Sequence, residues 1–475
     1  MKVQNISPQQ TRLALAILAA FALGGCASFS KDGGMTTVMQ ITKTRIDKDV
    51  KWARTDAERD TIDTRVAELL AKPLSVEDAV QVALMNNRGL QAGFYDLGVS
   101  EADLVQAGRL PNPRFSMLRV HRGDDYKIEQ ALTFSIFSLV TMPLAMEVEK
   151  RRFARMQQQV AMDVLRLAAE TRKAYFTAVA ADETVRYMRQ VKVAADAGAE
   201  LARRMTQAGN WSKLNQAREQ GFYADAALNA ARAEQTQTIA REQLTRLLGL
   251  WGAQSQFKLP ERLPDLPKTA DDLPNVEQLA MEQRLDLQAM RSETTALAKS
   301  LGLTKATRFI NALEFGPARV LEGQRSDPYK YGYEVSFELP IFDWGGAKVA
   351  RAEAIYMQAV NRTAESAINA RSEVRETYKG YRTSYDIARH YRDEIVPIRK
   401  RIAEENQLRY NGMLISVFDL LADARAQIAS VNGYIEALRD FWLAHSDLQM
   451  ALIGKPMMSA APKAAMAAPQ AGAAH

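Results

Sequence analysis

Apolar and polar residues alternate strictly along one segment of the chain, residues 331–342. The apolar positions are Tyr331, Tyr333, Val335, Phe337, Leu339 and Ile341, and the polar positions between them are Gly332, Glu334, Ser336 and Glu338. A period of two predicts a β-strand with one apolar and one polar side, a pattern typical of strands that face lipid outward and water inward. Pro340 and the Gly345-Gly346 pair end the segment, and helical spacing begins at Ala347.

The same succession of alternating strand and long helix occurs earlier in the chain, at residues 126–137. Short matches recur at a spacing of roughly 200 residues. They are Leu90-Gln91-Ala92 with Leu287-Gln288-Ala289, Gly209 with Gly412, and Gly249 with Gly454. We therefore predict an internal duplication, with one repeat at residues 74–252, a proline-rich linker at residues 253–275 and a second repeat at residues 276–454.

Each repeat is predicted to hold two strands joined by a turn and then a long helical hairpin. The predicted strands are residues 115–121 and 126–137 in the first repeat, and residues 309–320 and 331–342 in the second. Each has about the length that crosses a bilayer at a tilt. Residues 144–208 are predicted to form one helix of roughly 100 Å, which Gly209 ends, and Gly412 is predicted to turn the second hairpin.

Four strands are too few to close a barrel, and open sheet edges cannot lie in lipid. Several copies of the chain must therefore combine if the strands are to span a membrane. Two copies would give eight strands, a barrel that side chains fill, whereas three copies would give twelve strands and a lumen.

The run from Leu339 to Gly345 (Leu-Pro-Ile-Phe-Asp-Trp-Gly), the Arg409-Tyr410-Asn411-Gly412 turn and the duplicated layout resemble the outer-membrane efflux protein family, the TolC-like proteins. The likeness covers residues 74–454. The first repeat departs from it, because Ser135-Ile136-Phe137-Ser138 stands where the second repeat has Pro340-Ile341-Phe342-Asp343. This difference concerns the strand-to-helix turn and leaves the expected architecture unchanged.

The resemblance implies a mainly α fold with β-strands, in which a long α-helical barrel is continuous with a trimeric 12-stranded β-barrel. It implies an outer-membrane channel of a tripartite efflux system, through which a pump drives small molecules or ions from the periplasm to the outside. The partners so implied are two further copies of the chain, a periplasmic adaptor protein, an inner-membrane pump and outer-membrane lipid. A non-conducting periplasmic coiled-coil scaffold is the alternative, and it leaves the strands unexplained.

The N-terminus has the pattern of a signal peptide over residues 1–25. Lys2 and Arg12 precede an apolar run at residues 13–23, which is too short for a spanning helix. The run ends in Leu23-Gly24-Gly25-Cys26, which resembles a bacterial lipobox, and Cys26 is the only cysteine. We expect Cys26 to carry lipid (including palmitate), residues 26–73 to lead from this anchor, and the protein to lie in the outer membrane, extending into the periplasm. The alternative is an ordinary signal peptide with a buried cysteine.

The ends of the two hairpins are the predicted contact with the adaptor. The residues assigned to this contact, following the family resemblance, are Gly209, Trp211, Gly412, Leu414 and Ser416. The alternative interpretation is that the glycines serve only to turn the chain. Asp419 and Asp423 stand one helical turn apart beyond the second turn, where the family carries acidic residues at a constriction. Three copies would form a ring that favours cations, although a solvated exterior pair fits the spacing as well.

Composition excludes several other functions. The formal charge of +6 falls to about +4 without Lys2 and Arg12, too small an excess to indicate nucleic-acid binding. The four histidines have no partners at metal-ligand spacing, and no phosphate loop or nucleophile elbow occurs, so neither an enzyme nor a cofactor is predicted. The 19 methionines raise export of a soft metal as one hypothesis; most occupy helical positions typical of packing. The last residues, 455–475, are predicted to be a disordered tail.

Overall fold

A computed structural model describes residues 28–308, 313–339, 341–415 and 417–456. Within these ranges the chain forms two compact units. The first contains residues 28–38, 93–160 and 286–366, and the second contains residues 39–92, 161–285 and 367–456. Each predicted repeat thus contributes to both units. The predicted signal peptide, Cys26, Pro340, Ser416 and residues 457–475 of the predicted tail lie outside the described residues.

Long helices make up most of the described chain. The helices are α1 (Met35–Ile46), α2 (Asp56–Leu70), α3 (Val76–Asn86), α4 (Arg88–Ala107), α5 (Ile136–Gln207), α6 (Lys213–Leu248), α7 (Val276–Gln283), α8 (Leu285–Thr307), α9 (Gly346–His390), α10 (Val396–Asn411) and α11 (Val417–Ile453). A π-turn, Tyr391–Ile395, separates α9 from α10, and one turn of 3-10 helix covers Gly252–Ser255. None of the helices within these ranges is both long and apolar enough to cross a membrane.

Four strands of the first unit form a single antiparallel sheet in the order β1-β2-β3-β4. They are β1 (Arg114–Arg122), β2 (Asp125–Ser135), β3 (Leu313–Gly323) and β4 (Lys330–Phe337). The first and second repeats each supply one hairpin, and β2 pairs with β3 to join them. The two predicted strand pairs are therefore confirmed, and the structure adds that they share one sheet.

Residues paired across neighbouring strands point to the same side of a sheet, so the register defines two faces. One face, which we call the aromatic face, carries the polar residues Arg119, Gln130 and Arg319 and nine apolar residues: Phe115, Met117, Leu132, Phe134, Phe315, Tyr331, Tyr333, Val335 and Phe337. All nine of these side chains are exposed. The opposite, polar face carries ion pairs, with Arg114 Nη1 3.1 Å from Glu314 Oε1 and Lys330 Nζ 3.3 Å from Glu322 Oε2.

Three predicted strand ends are wrong. β3 runs to Gly323, three residues beyond its predicted end at residue 320. β2 ends at Ser135 and not at Phe137, because the Ser135 hydroxyl accepts a bond from the Ser138 N–H at 3.3 Å and starts α5. α5 therefore begins at Ile136, before the predicted residue 144, and includes Pro143. In the second repeat β4 ends at Phe337, so Leu339 and Ile341 continue the alternation in sequence but lie outside the strand.

The predicted linker crosses the helices of the second unit as an extended segment, and we call residues 256–275 the strap. Side chains from the helices bind its backbone carbonyls. Tyr385 Oη donates to Lys268 O at 2.7 Å, Trp442 Nε1 to Pro264 O at 3.0 Å and Arg392 Nη1 to Leu266 O at 3.3 Å. The strap thereby ties α9 to α11 beside a cluster of aromatic rings. Those rings belong to Phe176, Tyr381, Tyr385, Phe441, Trp442 and His445.

Candidate functional site at the hairpin ends

The first hairpin turns at Gly209, between α5 and α6. The Gly209 N–H donates to Thr206 O at 3.0 Å and the Asn210 N–H donates to Met205 O at 2.9 Å, the bond pattern of a Schellman turn. This turn requires a left-handed residue, and Gly209 has φ +79°. The Ser212 hydroxyl then accepts a bond from the Asn215 N–H and begins α6.

The second hairpin makes the same turn between α10 and α11, but with a methionine at the left-handed position. The Met413 N–H donates to Tyr410 O and the Leu414 N–H donates to Arg409 O, at 2.9 and 2.8 Å. Met413 has φ +61°, whereas Gly412 has φ −82°. The structural counterpart of Gly209 is therefore Met413. The predicted pairing of Gly209 with Gly412 is wrong by one position, because sequence matching aligned the glycines and not the backbone conformations.

The two turns present different surfaces. Trp211 is half-buried, whereas Met413 is 93% exposed and Leu414 is 77% exposed. Ser416 lies outside the described residues. The second turn therefore offers an apolar pair to solvent or to a partner, and the first offers Gly209, Asn210 and the half-buried Trp211.

The two predicted gate residues lie near the start of α11 and have different surroundings. Asp419 is exposed in the first turn, and Asp423 is half-buried one turn later. The Asn406 side-chain amide, on α10, donates a hydrogen bond to Asp423 Oδ2. Asp423 is thus held within its own hairpin, which the spacing of the two aspartates did not indicate.

Glu219 is a buried carboxylate close to the first turn that sequence analysis missed. It is 3% exposed, and its Oε1 lies 2.8 Å from Arg425 Nη2 on α11. The Arg425 guanidinium lies 4.2 Å from the centre of the Phe222 ring. This pair joins the first hairpin to the second. The distance from the turn could have identified Glu219 in the sequence. Glu219 and Asp423 each follow the left-handed residue of their turn by ten positions (209 to 219 and 413 to 423).

Apolar packing supports the same contact between the hairpins. A buried cluster of Val191, Ala195 and Ala226 lies between α5 and α6, and Ile428 of α11 packs against it. The side chains of Tyr187, Phe222 and Tyr223 complete the cluster. Within the described residues, this small apolar cluster and the pair of Glu219 with Arg425 thus join the two hairpins.

No group of three or more histidine, cysteine, aspartate or glutamate side chains could hold a metal ion within the described ranges. His445 lies among Tyr381, Phe441 and Trp442, and burial lowers the pKa of its imidazole. His445 therefore packs within this group of aromatic rings.

Solved structures similar to this chain include transmembrane and outer-membrane channel proteins. The crystal structures of CusC, which concern its folding and transmembrane channel formation, match with a TM-score of 0.66 and 17% identity, over 80% of this chain and 92% of that one. The Campylobacter jejuni outer membrane channel CmeC matches with a TM-score of 0.68 and 18% identity, over 87% of this chain and 91% of CmeC. This chain has the fold of the outer-membrane channel proteins. The resemblance to the outer-membrane efflux protein family is thereby confirmed.

Other comparisons give the same fold and one curated relative. A membrane protein from Pseudomonas aeruginosa matches the outer-membrane channel fold of this chain with a TM-score of 0.68 and 19% identity, over 79% and 93% of the two chains. The cobalt-zinc-cadmium resistance protein CzcC of Cupriavidus metallidurans is 26% identical over 290 residues. That match covers 58% of this chain and 64% of the relative's length. No protein-family profile matches the chain.

Proposed function

We propose that this protein is the outer-membrane channel of a tripartite efflux system, a passive duct for small molecules or ions that a pump drives from the periplasm to the outside. The observation that carries this proposal is the aromatic face of the sheet, which is exposed on all four strands. A contiguous apolar patch of nine exposed side chains on a folded surface marks a membrane or protein contact. The curated relative and the solved channels support the same function.

A homotrimer would complete the sheet. β1 and β4 are its two edges, with nine and eight residues, and an unpaired edge cannot lie in lipid. Three copies joined edge to edge would form a 12-stranded barrel with the aromatic face outward and the polar face lining a lumen. The helical hairpins would extend it as a helical barrel. Their ends, at Gly209, Trp211, Gly412, Leu414 and Ser416, would dock a periplasmic adaptor of the pump.

Lipid on Cys26 would anchor the chain in the outer membrane close to the sheet. The Ser30 N–H donates to Glu101 Oε1 at 2.6 Å, and Glu101 lies on α4, which leads to β1. Asp32 Oδ2 accepts a hydrogen bond from the Thr36 N–H of α1 at 2.7 Å. Hydrogen bonds from Thr36 lower the pKa of this carboxyl to about 2. The lipid proposal is tested by incorporation of labelled palmitate into the wild-type chain and its loss in Cys26→Ala.

Two neighbouring residues of β4 test the membrane-spanning role of the sheet. Val335 lies on the aromatic face and Ser336 on the polar face. A lysine on the lipid face of a barrel costs about 2–4 kcal/mol near the bilayer centre. Val335→Lys should therefore abolish insertion and single-channel conductance in planar bilayers, whereas Ser336→Lys should insert and alter ion selectivity. If the two variants insert and conduct to the same extent, or if the wild-type trimer does not conduct, the result would favour the non-conducting scaffold.

The cargo class is a separate proposal, and the relative named for cobalt, zinc and cadmium resistance supports divalent metal ions. A strain lacking this protein should then lose tolerance to these three ions and keep its tolerance to apolar drugs. Loss of drug tolerance alone would contradict the metal assignment and leave the channel assignment intact.

A further inference from the structure

Charged side chains are divided unequally between the two faces of the sheet. The polar face holds every carboxylate of the four strands, namely Asp125, Glu129, Glu314, Glu322 and Glu334. Two lysines of that face are paired, Lys127 with Glu129 at 2.8 Å and Lys330 with Glu322 at 3.3 Å. The aromatic face has no carboxylate in these strands, yet it carries Arg119 and Arg319. The two arginines therefore lie on a surface that supplies no anion of its own.

Both arginines lie toward the end of the sheet that carries the two hairpin turns. Arg119 is three residues from the end of β1, and Arg319 is four residues from the end of β3. β2 leads into α5 at the opposite end, where the same face carries Phe134, Phe315 and Phe337. The aromatic face is thus apolar at its helix end and basic toward its turns.

The Arg319 guanidinium is held in place by two neighbours. Its Nε donates to Gln130 Oε1 on β2 at 2.7 Å, and its Cζ lies 4.7 Å from the centre of the Tyr329 ring. Among the described residues, no group accepts a hydrogen bond from its two terminal nitrogens. A planar guanidinium with both terminal nitrogens available matches the geometry of a phosphate.

Arg119 lies close enough to share a ligand with Arg319. It is exposed on β1, and its Cζ lies 5.9 Å from the centre of the Tyr126 ring on β2. The register sets Arg119 opposite Ile128 and Arg319 opposite Gln130. The two arginines are therefore two strands and one pleat apart, roughly 12 Å between Cα atoms. Two long side chains can bridge that separation over one headgroup.

Tyrosines mark the same level of the sheet. Tyr331 is paired with Arg319 in the register and is 81% exposed, and Tyr126 and Tyr329 lie beside the two guanidiniums. Tyrosine and arginine are typical of membrane interfaces, because their apolar parts contact acyl chains while their polar tips reach the headgroups. The continuous apolar half of the face favours a lipid phosphate over a free anion, since acyl chains would cover that half.

We propose that Arg119 and Arg319, with Gln130 positioning Arg319, form a binding site on the aromatic face for the phosphates of a lipid headgroup. The inference rests on the proposed function, which places the aromatic face in lipid and the hairpin turns on the outer side. The ligand is therefore a phosphorylated lipid of the outer leaflet.

Binding of diphosphorylated lipid A to the full-length protein in detergent gives a direct test. Native mass spectrometry counts the bound lipid over a range of concentrations and yields a Kd. The test variant is Arg119→Gln with Arg319→Gln. The matched control is Lys127→Gln with Lys330→Gln, which removes two positive charges near the same turns but from the polar face.

We expect the arginine variant to bind lipid A roughly tenfold more weakly than wild type, since charge-assisted bonds to phosphate are lost. The lysine variant should bind like wild type. Dephosphorylated lipid A should bind wild type as weakly as lipid A binds the arginine variant. Wild-type affinity in the arginine variant, or an equal loss in the lysine variant, would overturn the site.

Two further measurements separate the alternatives. Displacement of lipid A by millimolar inorganic phosphate would identify a free-anion site and overturn the lipid assignment. If the arginine variant does not fold, the comparison of lipid A with its dephosphorylated form on wild type decides. Wild-type conductance in planar bilayers tests the channel by itself, so a conducting protein that binds both forms of lipid A equally would overturn this inference alone.

Discussion

Arg425 and Glu219 form an ion pair that joins the two helical hairpins, with Arg425 Nη2 2.8 Å from Glu219 Oε1. The glutamate is buried and the guanidinium is packed on Phe222. Removing one partner of a buried pair leaves an uncompensated charge, at a cost of about 3–5 kcal/mol. We expect Arg425→Met to lower the free energy of unfolding by an amount near the low end of that range, since Arg425 is partly exposed. The loss is measured as a lower melting temperature by circular dichroism in detergent.

Two further variants test this explanation of the Arg425 effect. The double variant Glu219→Met with Arg425→Met should recover most of the lost stability, because no charge is left buried. Arg409→Met, which breaks an exposed pair with Glu405, should change stability by less than about 1 kcal/mol. A double variant as unstable as Arg425→Met would show that packing on Phe222, and not charge, stabilises the contact.

The left-handed residues of the two turns predict opposite effects of substitution. Gly209→Ala forces a Cβ into the left-handed region and should destabilise by about 1 kcal/mol, whereas Met413→Gly removes that strain and should stabilise by a similar amount. Gly412→Ala should be nearly neutral, since Gly412 has an ordinary φ. Thermal melts of the three variants check the order, and a larger loss for Gly412→Ala than for Gly209→Ala would contradict it.

Two glycines of the sheet form a matched pair for a test of assembly. A Cβ on Gly316 would overlap the carbonyl oxygen of Leu132 on the neighbouring strand, whereas a Cβ on Gly332 would meet nothing within 4 Å. Gly316→Ala must therefore separate β2 from β3 and should sharply reduce the yield of assembled, membrane-inserted protein. Gly332→Ala should assemble like wild type. The measurement is the fraction of each variant in the outer-membrane fraction, and normal assembly of Gly316→Ala would be inconsistent with the described register.

The strand β4 could be predicted because its alternation of apolar and polar residues is unbroken. The helices could be predicted because the helical spacing of their apolar residues extends over tens of residues. Strand ends were less predictable. Ser135 caps a helix through its own hydroxyl, a local bond that competes with the strand pattern at Ile136 and Phe137. Long-range pairs were not predictable at all, since Glu219 and Arg425 are about 200 residues apart and either could have been a solvated surface charge.

Glu183 gives stability a pH dependence. Burial raises the pKa of its carboxyl above the ordinary value, partly offset by the bond that its Oε2 accepts from the Leu263 N–H of the strap. The stability that Glu183 contributes is therefore fully present below the pKa of its carboxyl in the unfolded state. It is lost as the pH rises through the higher pKa of the folded state. Glu183→Gln, which keeps an acceptor oxygen, should match wild type near pH 4 and be more stable at pH 7.

Glu200 is the control of opposite sign for that experiment. Hydrogen bonds from Arg203 and Arg204 lower the pKa of its carboxyl to about 2, so its contribution is present above the unfolded pKa and is lost as the pH falls toward 2. Glu200→Gln should thus give no gain at pH 7. A gain at pH 7 in both glutamine variants would indicate a general effect of net charge and would rule out the burial of Glu183 as the cause.

The two candidate gate residues should contribute unequally to ion selectivity. Asp423 is half-buried and accepts a hydrogen bond from Asn406, whereas Asp419 is exposed in the first turn of α11. A charge that is more exposed acts on passing ions more strongly than one that is half-buried. In planar bilayers we expect Asp419→Asn to reduce cation preference severalfold and Asp423→Asn to reduce it less. Asn406→Ala removes the hydrogen bond to the Asp423 carboxylate and should raise cation preference. If conductance and selectivity are unchanged in all three variants, neither aspartate belongs to the gate, and the channel proposal still stands.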